Sequence, residues 1–424
     1  MTNFKIPFWI AIFININIVI GSGFFLESQH ISATCGVWAP LVWIACGFML
    51  LPLVLVLAHL AKKFPTAGGL YVYSKQALGD QWGFLSGWAY FIGTTAGNTV
   101  LIHAFSQAIQ HTPLYPHLAA IGLHTISLDI LFIILFTLIN FLNVQIFEKA
   151  QILFTILKTI PIMILIIGAF FLFDSQYYVT TTPFVFNNFL GAIPLVLFSY
   201  IGIEACCAIV DQIEGNRGYL AIIISFIVIV LTYSILQALI FCAHGPANIN
   251  PFLNILPQII HNPTIALWGN KIITIAITSS YLGGFYSMFY CNNWNLFAIA
   301  QDNLLAGSSQ LTQKNKHGIP WLCVIAQGAL IITFLLITHS NHPLETMCNF
   351  GALIAYLLSA AAFFVFFRNR ILSILSFITC SIFLYVNFQD LLSKGLRYLA
   401  PFLIIIFMGL IWYSIKKPRV KTLG

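Results

Sequence analysis

The stretch that decides the fold is FWIAIFININIVIGSGFFL, residues 8–26, an apolar run that is interrupted once, at Gly21-Ser22-Gly23. About 20 apolar residues let a helix cross a hydrocarbon core of ~30 Å, so this run is long enough to span a membrane. Two glycines flanking a serine allow the helix to unwind, because glycine tolerates dihedrals that other residues avoid. The run has no small-residue cleavage site, and we expect a first span that breaks rather than a signal peptide.

The rest of the chain has the composition of an integral membrane protein. Of its 424 residues, 60% are hydrophobic and 7% are charged, and the mean hydropathy is +0.94. These values exclude a water-soluble globule of this length. Continuous apolar runs without alternating polarity favour helices, which satisfy their own backbone groups in lipid. We predict an all-α polytopic fold with about twelve transmembrane helices, at 8–26, 38–60, 83–109, 126–143, 150–173, 188–209, 219–243, 271–300, 320–338, 346–367, 371–387 and 398–415.

The basic residues predict the orientation of these spans. An even number of spans puts both ends on one side, and short cytoplasmic loops carry an excess of lysine and arginine. With both termini in the cytoplasm, that side holds Lys5, Lys62, Lys63, Lys75, Lys149, Arg217, Lys314, Lys316, Arg368, Arg370, Lys416, Lys417, Arg419 and Lys421. The opposite side holds Lys271, Lys394 and Arg397. Topology and anionic lipid thus explain the net charge of +7, and no nucleic acid is expected as a partner.

A second interruption lies in the sixth span, at FSYIGIE, residues 198–204. The first and sixth spans open two consecutive sets of five, and helices broken at matching places in two repeats indicate a transport site near the midplane. The half-helix after the first break points its N–H groups at the break, where an anion binds. The half-helix that ends near Phe198 presents carbonyl oxygens, which suit an ammonium group. The pair predicts a site for an α-amino acid zwitterion; close helix packing around Gly-Ser-Gly is the alternative.

Lys158 lies near the middle of the fifth span and has no acid on its own helix face. A buried, unpaired ammonium costs at least a few kcal/mol in a bilayer, so we expect oxygen ligands from other helices. The candidates are carbonyls of the broken first helix and hydroxyls among Thr278, Ser279 and Ser280 on the eighth span. Lys158 either exchanges a proton as its surroundings wet and dry or remains a fixed positive charge. Glu204 is either a coupling or gating group or a hydrogen-bond anchor for the unwound segment.

Four segments carry a resemblance to a known family. They are VIGSGFF at 19–25, PTAGGLYVY at 65–73, GFLSGW at 83–88 and FSYIGIE at 198–204. In residues and spacing they resemble the signature segments of the amino acid/polyamine/organocation (APC) superfamily permeases, from the first span through about the tenth. The nearest branch is that of the bacterial amino acid antiporters such as the arginine/agmatine exchanger.

The resemblance implies one transporter domain over 1–424 that works by alternating access. Two inverted five-helix repeats, at about 8–173 and 188–367, would precede two extra helices at about 371–415. The implied substrate ligands are Ser22 and Gly23 for the carboxylate, the carbonyls of Val19, Phe198 and Ile201 for the amino group, and Tyr90 and Asn98 for the side chain. Thr94 lies on the same helix face as Tyr90 and Asn98, at spacings of i, i+4 and i+8, and joins that pocket.

Three residues depart from the arginine/agmatine exchanger. Phe198 and Phe285 stand where it has tryptophans, and phenylalanine binds a cation less strongly, which argues against arginine as the substrate. Lys158 resembles instead the fifth-span lysine of proton-coupled or sodium-independent permeases, where it would occupy the space of a sodium ion. Asn98 is the residue that we expect to select the substrate, and a hydrogen bond between helices is its alternative role.

These observations predict a secondary active transporter, a permease or antiporter for amino acids or related amines, in a bacterial inner membrane. It would be sodium-independent, with coupling to protons left open. A channel, which needs a filter or a ring of like side chains, and a membrane-embedded enzyme, which needs clustered catalytic groups, are the alternatives. We expect no cofactor and no metal ion, because cysteines and histidines lack ligand spacing. Lipid explains the apolar surface, so a homodimer is neither indicated nor excluded.

Overall fold

A computed structural model describes residues 5–110, 112, 114–171, 183–244, 263–338, 340–395 and 399–416. In these residues the secondary structure is helical, apart from one isolated parallel bridge between Ile6 and Ile213. The α-helices are α1 (Phe8–Val19), α2 (Ser22–Cys35), α3 (Ala39–Lys63), α4 (Gly69–Leu78), α5 (Asp80–Gln110), α6 (Tyr115–Ala120), α7 (Thr125–Ile139), α8 (Val144–Phe171), α9 (Phe186–Tyr200), α10 (Gly218–His244), α11 (Pro263–Gln301), α12 (Ser308–Leu311), α13 (Trp321–Ile337), α14 (Asn341–Phe366), α15 (Arg370–Lys394) and α16 (Ala400–Lys416).

Each of the predicted spans coincides with a helix or with two helices separated by a break. The first span is α1 followed by α2, and the sixth is α9 followed by a 3-10 helix at Ala205–Gln212. Within the described ranges, seven helical segments are long and apolar enough to cross a membrane, and four shorter apolar helices accompany them. The predicted all-α polytopic fold is confirmed; the division into two inverted repeats stays a prediction.

The two breaks have identifiable backbone causes. After α1, Gly21 adopts φ −103° and ψ −127°, and the helix restarts at Ser22. After α9, Ile201 is extended and Gly202 has φ +108°. A β-carbon on Gly202 would lie 2.2 Å from Cγ2 of Ile18, so both the dihedral and the space require glycine there.

The helix α5 is the centre of the bundle. It packs against α4, α7, α11, α13, α14 and α16, and every residue from Ala89 to Ser106 is buried. A helix that is buried all round forms the core of a bundle. The broken α1 lies beside it, packed against α8, α10 and α11, so both half-helix ends at the first break are inside the protein.

Candidate functional site

The two helix breaks lie against each other. A β-carbon built on Gly23, in the first turn of α2, would be 2.6 Å from Cα of Ser199 in the last turn of α9. On the other side of the junction Gly202 lies against Ile18, as described above. The close approach of two glycines to the opposite helix therefore joins the breaks into one site.

A small cavity lies at this junction, with a volume of about 30 Å³. That is room for about two water molecules, so the cavity as it stands is too small to hold an amino acid. The described residues that line the cavity are Ile18, Val19, Gly23, Thr94, Gly97, Asn98, Leu101, Phe198, Ser199, Ile201, Met288 and Cys348. They come from α1, α2, α5, the end of α9, α11 and α14.

Six of the nine predicted substrate ligands line this cavity: Val19, Gly23, Thr94, Asn98, Phe198 and Ile201. Two predicted ligands lie elsewhere, because Tyr90 points to Glu204 and the ring of Phe285 packs edge-on against Phe136 with centroids 5.5 Å apart. Met288, one turn further along α11, lines the cavity instead. The backbone of Ser22 begins α2, and its side chain is outside the described part of the chain.

Asn98 is the one buried residue of the cavity whose side-chain polarity is left unused. It is fully buried, and neither its Nδ2 nor its Oδ1 has a hydrogen-bond partner among the described residues. Leaving a buried amide unsatisfied costs about 1–3 kcal/mol. The neighbouring Thr94 hydroxyl, in contrast, donates to the Tyr90 carbonyl at 2.7 Å. Both polar groups of Asn98 therefore remain available for a hydrogen bond at the cavity.

The carbonyl of Val19, predicted to bind the substrate's amino group, already accepts two hydrogen bonds. Gly21 N–H donates to it at 2.7 Å, and the hydroxyl of Tyr233 on α10 donates at 2.5 Å. The same hydroxyl lies 3.3 Å from the carbonyl of Ser199. Tyr233 thus bridges the two breaks, and sequence reasoning missed it. The available signal was a tyrosine among the few polar residues of its span.

Lys158 holds the end of the first half-helix. Its fully buried Nζ donates to the carbonyls of Ile20 at 2.7 Å and Asn17 at 3.1 Å. It forms no ion pair within the described ranges. Ser279 and Ser280 do not bind it, since both hydroxyls donate to the Ala276 carbonyl of their own helix at 2.9 Å.

Other polar residues on the same face of α8 also form hydrogen bonds with α1. Nδ2 of Asn17 donates to Oε1 of Gln151 at 2.8 Å and to the Thr155 hydroxyl at 3.0 Å. Ser287 on α11 donates to the same Gln151 oxygen at 2.6 Å. Gln151, Thr155 and Lys158 are spaced as neighbours along one helix face. Together they fix the last turn of α1 against α8.

Glu204 holds the second break. Its Oε1 accepts a hydrogen bond from the Tyr90 hydroxyl at 2.6 Å, and the Tyr356 side chain lies close to this carboxyl group. The backbone N–H of Gly202 lies 3.1 and 3.3 Å from the two carboxyl oxygens. This geometry satisfies an N–H that the unwound segment would otherwise leave buried without a partner.

Polar contacts join the helices at the face of the bundle that carries Lys5 and Lys75. Nζ of Lys75 lies 2.7 Å from Oδ2 of Asp302, which also accepts from the Tyr71 hydroxyl. Burial, and then the neighbouring Asp302, raise the pKa of Tyr71 well above its ordinary value, so this hydroxyl remains a donor. Ile6 exchanges backbone hydrogen bonds with Gln212 and Glu214 at 2.7 and 2.9 Å. In this state both α4 and the segment before α1 cover the bundle.

Comparison with known proteins identifies the family. The sequence profile described as amino acid permease matches residues 6–415. The chain is 24% identical to the arginine/ornithine antiporter of Latilactobacillus sakei over 366 residues, which cover 81% of this chain and 75% of that protein. It is 23% identical to the serine/threonine exchanger SteT of Bacillus subtilis over 389 residues, 85% of this chain and 82% of that protein.

A third relative transports a different class of amino acid. The chain is 25% identical to the aromatic amino acid transport protein AroP of Escherichia coli O6:H1 over 362 residues, which cover 80% of this chain and 75% of that protein. The three relatives share transport of amino acids and differ in the side chain. The match over nearly the whole chain and the apolar helices together show an integral membrane transporter and not an enzyme: the chain belongs to the amino acid permease (APC) family.

Proposed function

We propose that this protein is a sodium-independent secondary transporter that exchanges amino acids across the membrane by alternating access. The observation that carries the proposal is the cavity at the junction of the two helix breaks, with the unpartnered amide of Asn98 in its wall. Broken helices, free backbone groups and an unsatisfied side chain are together what a zwitterion with a variable side chain needs.

The substrate carboxylate would bind at the start of α2. This helix begins at Ser22 behind Gly21, with no acidic residue in its first turn and no side-chain cap on its N-terminus. The first N–H groups of a helix lack intrahelical acceptors and lie at the positive end of the helix dipole. A carboxylate beside Gly23 would satisfy them, as anions do at helix N-termini.

The substrate amino group would bind carbonyls at the ends of α1 and α9. Of the predicted ligands, the carbonyl of Val19 is held by Tyr233 in the closed state, and that of Phe198 accepts from Ile201 N–H at the long distance of 3.3 Å. An incoming ammonium would therefore displace the Tyr233 hydroxyl from Val19. Tyr233 can then bond to the Ser199 carbonyl, which is already within 3.3 Å.

Lys158 would take the place of a coupling sodium ion. Its ammonium occupies the carbonyls of Asn17 and Ile20, and a site filled by one cation repels a second in a medium of low dielectric. Proton exchange by Lys158 and a fixed tether remain two versions of the same proposal. The exchange of Lys158 for arginine distinguishes them, because arginine stays charged at all ordinary pH values.

We further propose the orientation and repeats predicted from the sequence. The basic residues of the short loops support cytoplasmic termini in a bacterial plasma membrane. The positions of the two breaks, in the first and sixth spans, support inverted repeats at about 8–173 and 188–367. On this orientation the Lys75–Asp302 contact would close the cytoplasmic entrance.

Counterflow in proteoliposomes tests the proposal. The purified chain is reconstituted, loaded with one unlabelled amino acid in sodium-free buffer, and diluted into the same labelled amino acid at low concentration. We expect saturable accumulation of label for at least one of the twenty amino acids, with the compound recovered unchanged. Absence of exchange for every amino acid, or uptake that requires sodium, would contradict the proposal.

A further inference from the structure

We infer that the transported amino acid is electrically neutral and has a short side chain with a hydroxyl or amide group, which Asn98 recognises. The inference rests on the proposed function, since it concerns the side-chain end of the same cavity. Three properties of the cavity carry it: its charge, its hydrogen-bonding capacity and its size.

The cavity wall has no charge with which to bind a charged side chain. None of the described lining residues is Asp, Glu, Lys, Arg or His. The lining residues contributed by α11 and α14 are Met288 and Cys348, and neither can serve as a counter-ion. A cationic side chain would lose its hydration there, and its one favourable contact with a lining residue would be the phenyl ring of Phe198. Phenylalanine is a weak cation–π partner, so the free-energy cost of desolvation exceeds the gain from this contact.

The nearby buried ionisable groups also argue against a cation. Glu204 is the carboxyl group of the second break, and the Tyr90 hydroxyl and Gly202 N–H already use its oxygens. The Lys158 amine at the first break binds the carbonyls of Asn17 and Ile20. Among the described residues, the junction therefore offers no free carboxylate to a cationic side chain.

Asn98 requires a polar partner. Its Nδ2 is a donor and its Oδ1 an acceptor, and both are buried and unpartnered. A substrate hydroxyl or carboxamide can serve both, since each group donates and accepts. A branched aliphatic side chain of the same size would leave the Asn98 amide unsatisfied. Sites built to bind a substrate hydroxyl reject the analogue that lacks it for this reason.

The cavity restricts the length of the side chain. The closed cavity of about 30 Å³ must expand, but its α5 wall is held close to α14. A β-carbon on Gly97 would lie 2.8 Å from Sγ of Cys348, so α5 and α14 are in close contact beside the cavity. Among polar amino acids, serine, threonine and asparagine require the smallest expansion, whereas arginine, lysine and ornithine require a larger one and also carry a charged side chain.

Matched pairs of substrates test the inference. Proteoliposomes loaded with one unlabelled amino acid are assayed for uptake of the same labelled amino acid, with threonine compared to its isostere valine and to arginine and ornithine. We expect initial rates for threonine at least roughly tenfold above valine, and rates for arginine and ornithine at the level of protein-free vesicles. Arginine or ornithine rates equal to threonine would overturn the neutral-substrate inference while leaving amino acid transport intact.

Two variants test whether Asn98 causes the preference for threonine over valine. Asn98→Leu keeps the side-chain volume and removes both polar atoms, so the threonine-to-valine ratio should fall close to one. Asn292→Leu is the matched control: Asn292 is fully buried and bonds Phe91 and Thr95 at 3.1 Å, but it does not line the cavity. Its ratio should equal that of the parent, whatever happens to the absolute rate.

The outcomes separate the inference from the proposed function. A parent ratio near one, or an unchanged ratio in Asn98→Leu, would overturn recognition by Asn98. Failure of every amino acid to exchange would overturn both the proposed function and this inference. The ratios of the parent protein decide between neutral polar, neutral apolar and cationic substrates by themselves, so a variant that fails to fold does not remove the test.

Discussion

The two helix breaks are stabilised by side chains of opposite type, an amine at the first and a carboxyl group at the second. At the first break the groups that lack helical partners are carbonyls at the end of α1, and Nζ of Lys158 binds those of Asn17 and Ile20. At the second break the exposed group is the N–H of Gly202, and the Glu204 carboxyl group accepts it. The difference follows from chemistry: a helix end that presents oxygen needs a cation or donor, and an unwound segment that presents N–H needs an acceptor.

The two side chains also differ in origin, and this suggests different roles. Glu204 belongs to the segment that it stabilises, two residues from Gly202, so the second break carries its own acceptor. Lys158 comes from α8, so the first break depends on another helix. Relative movement of α1 and α8 would change the contacts of Lys158, whereas Glu204 would move with Gly202. The first break is therefore the one that we expect to be more sensitive to loss of its charged partner.

The largest effect is expected for Lys158→Ala. The variant leaves two buried carbonyls without their charged donor, and hydrogen bonds to charged groups are worth about 1.5–3 kcal/mol each. We expect the initial uptake rate per folded molecule to fall by roughly a hundredfold or more, which corresponds to about 3 kcal/mol. Lys271→Ala, at an exposed lysine of α11, is the control and should stay within about twofold.

Lys158→Arg sharpens the same comparison. It keeps the positive charge but cannot release a proton at ordinary pH. If Lys158 is a fixed tether, the variant retains a measurable fraction of transport with the pH profile of the parent. If Lys158 cycles a proton, the variant loses the response to an imposed pH gradient. Lys158→Ala protein that transports at the parent rate would remove the first break's dependence on a cation altogether.

A smaller effect is expected for Glu204→Gln. Glutamine keeps one carbonyl oxygen for Gly202 N–H, and its amide group can donate to Tyr90, so part of the network survives. We expect uptake to fall by up to about tenfold, because the loss of one hydrogen bond costs up to about 1.4 kcal/mol and the retained oxygen limits the loss. The control is Glu214→Gln, at an exposed position beyond the break.

The pH profile of Glu204→Gln separates an anchor from a coupling group. If Glu204 only anchors Gly202, the reduced rate keeps the pH dependence of the parent. If the carboxyl group loads and releases the coupled proton, the variant's rate no longer changes with pH. If Glu204→Gln lowers uptake as much as Lys158→Ala does, the first break is not more sensitive than the second to loss of its partner.

The spans and the breaks could be predicted because each depends on local sequence. The length of an apolar run predicts a membrane helix. Glycines inside such a run predict a break, because glycine tolerates the positive or irregular φ that a break requires. Helix ends were less predictable: α2 continues to Cys35, well past residue 26, since Ser28 is polar but buried inside the bundle. Hydropathy measures the polarity of a residue and not whether other helices surround it.

The site residues that share one helix could be predicted as a group, and those contributed by other helices could not. Tyr90, Thr94 and Asn98 do share a face, but eight residues of helix extend about 12 Å, so Tyr90 reaches Glu204 while Asn98 reaches the cavity. Tyr233 and Met288 come from other spans, and their distance to the breaks depends on packing that local patterns do not encode. The resemblance pointed to Phe285, which lies one turn before Met288, the residue of α11 that lines the cavity.

The smallest effect, and the closest test of the comparison, is expected for Tyr233→Phe. Tyr233 is the one residue whose hydroxyl approaches carbonyls of both breaks in the described structure, at 2.5 Å from Val19 and 3.3 Å from Ser199. The variant removes the hydroxyl and keeps the ring, which stacks on Phe24 with centroids 4.7 Å apart. Loss of one hydrogen bond predicts a change of about threefold to tenfold.

Its direction follows from competition at Val19. Without the hydroxyl, the Val19 carbonyl is free for the substrate's amino group, so KM should fall; without the bridge, the two breaks close less readily, so the maximal rate should fall as well. Tyr200→Phe is the matched control, because Tyr200 ends α9 and lies in the same aromatic cluster, but its hydroxyl donates to the Trp43 carbonyl of α3 and to no carbonyl of either break. It should leave KM and the maximal rate within about twofold of the parent. A higher KM with an unchanged maximal rate in Tyr233→Phe would mean that the hydroxyl binds the substrate itself, and that the breaks are joined by the ligand rather than by the protein.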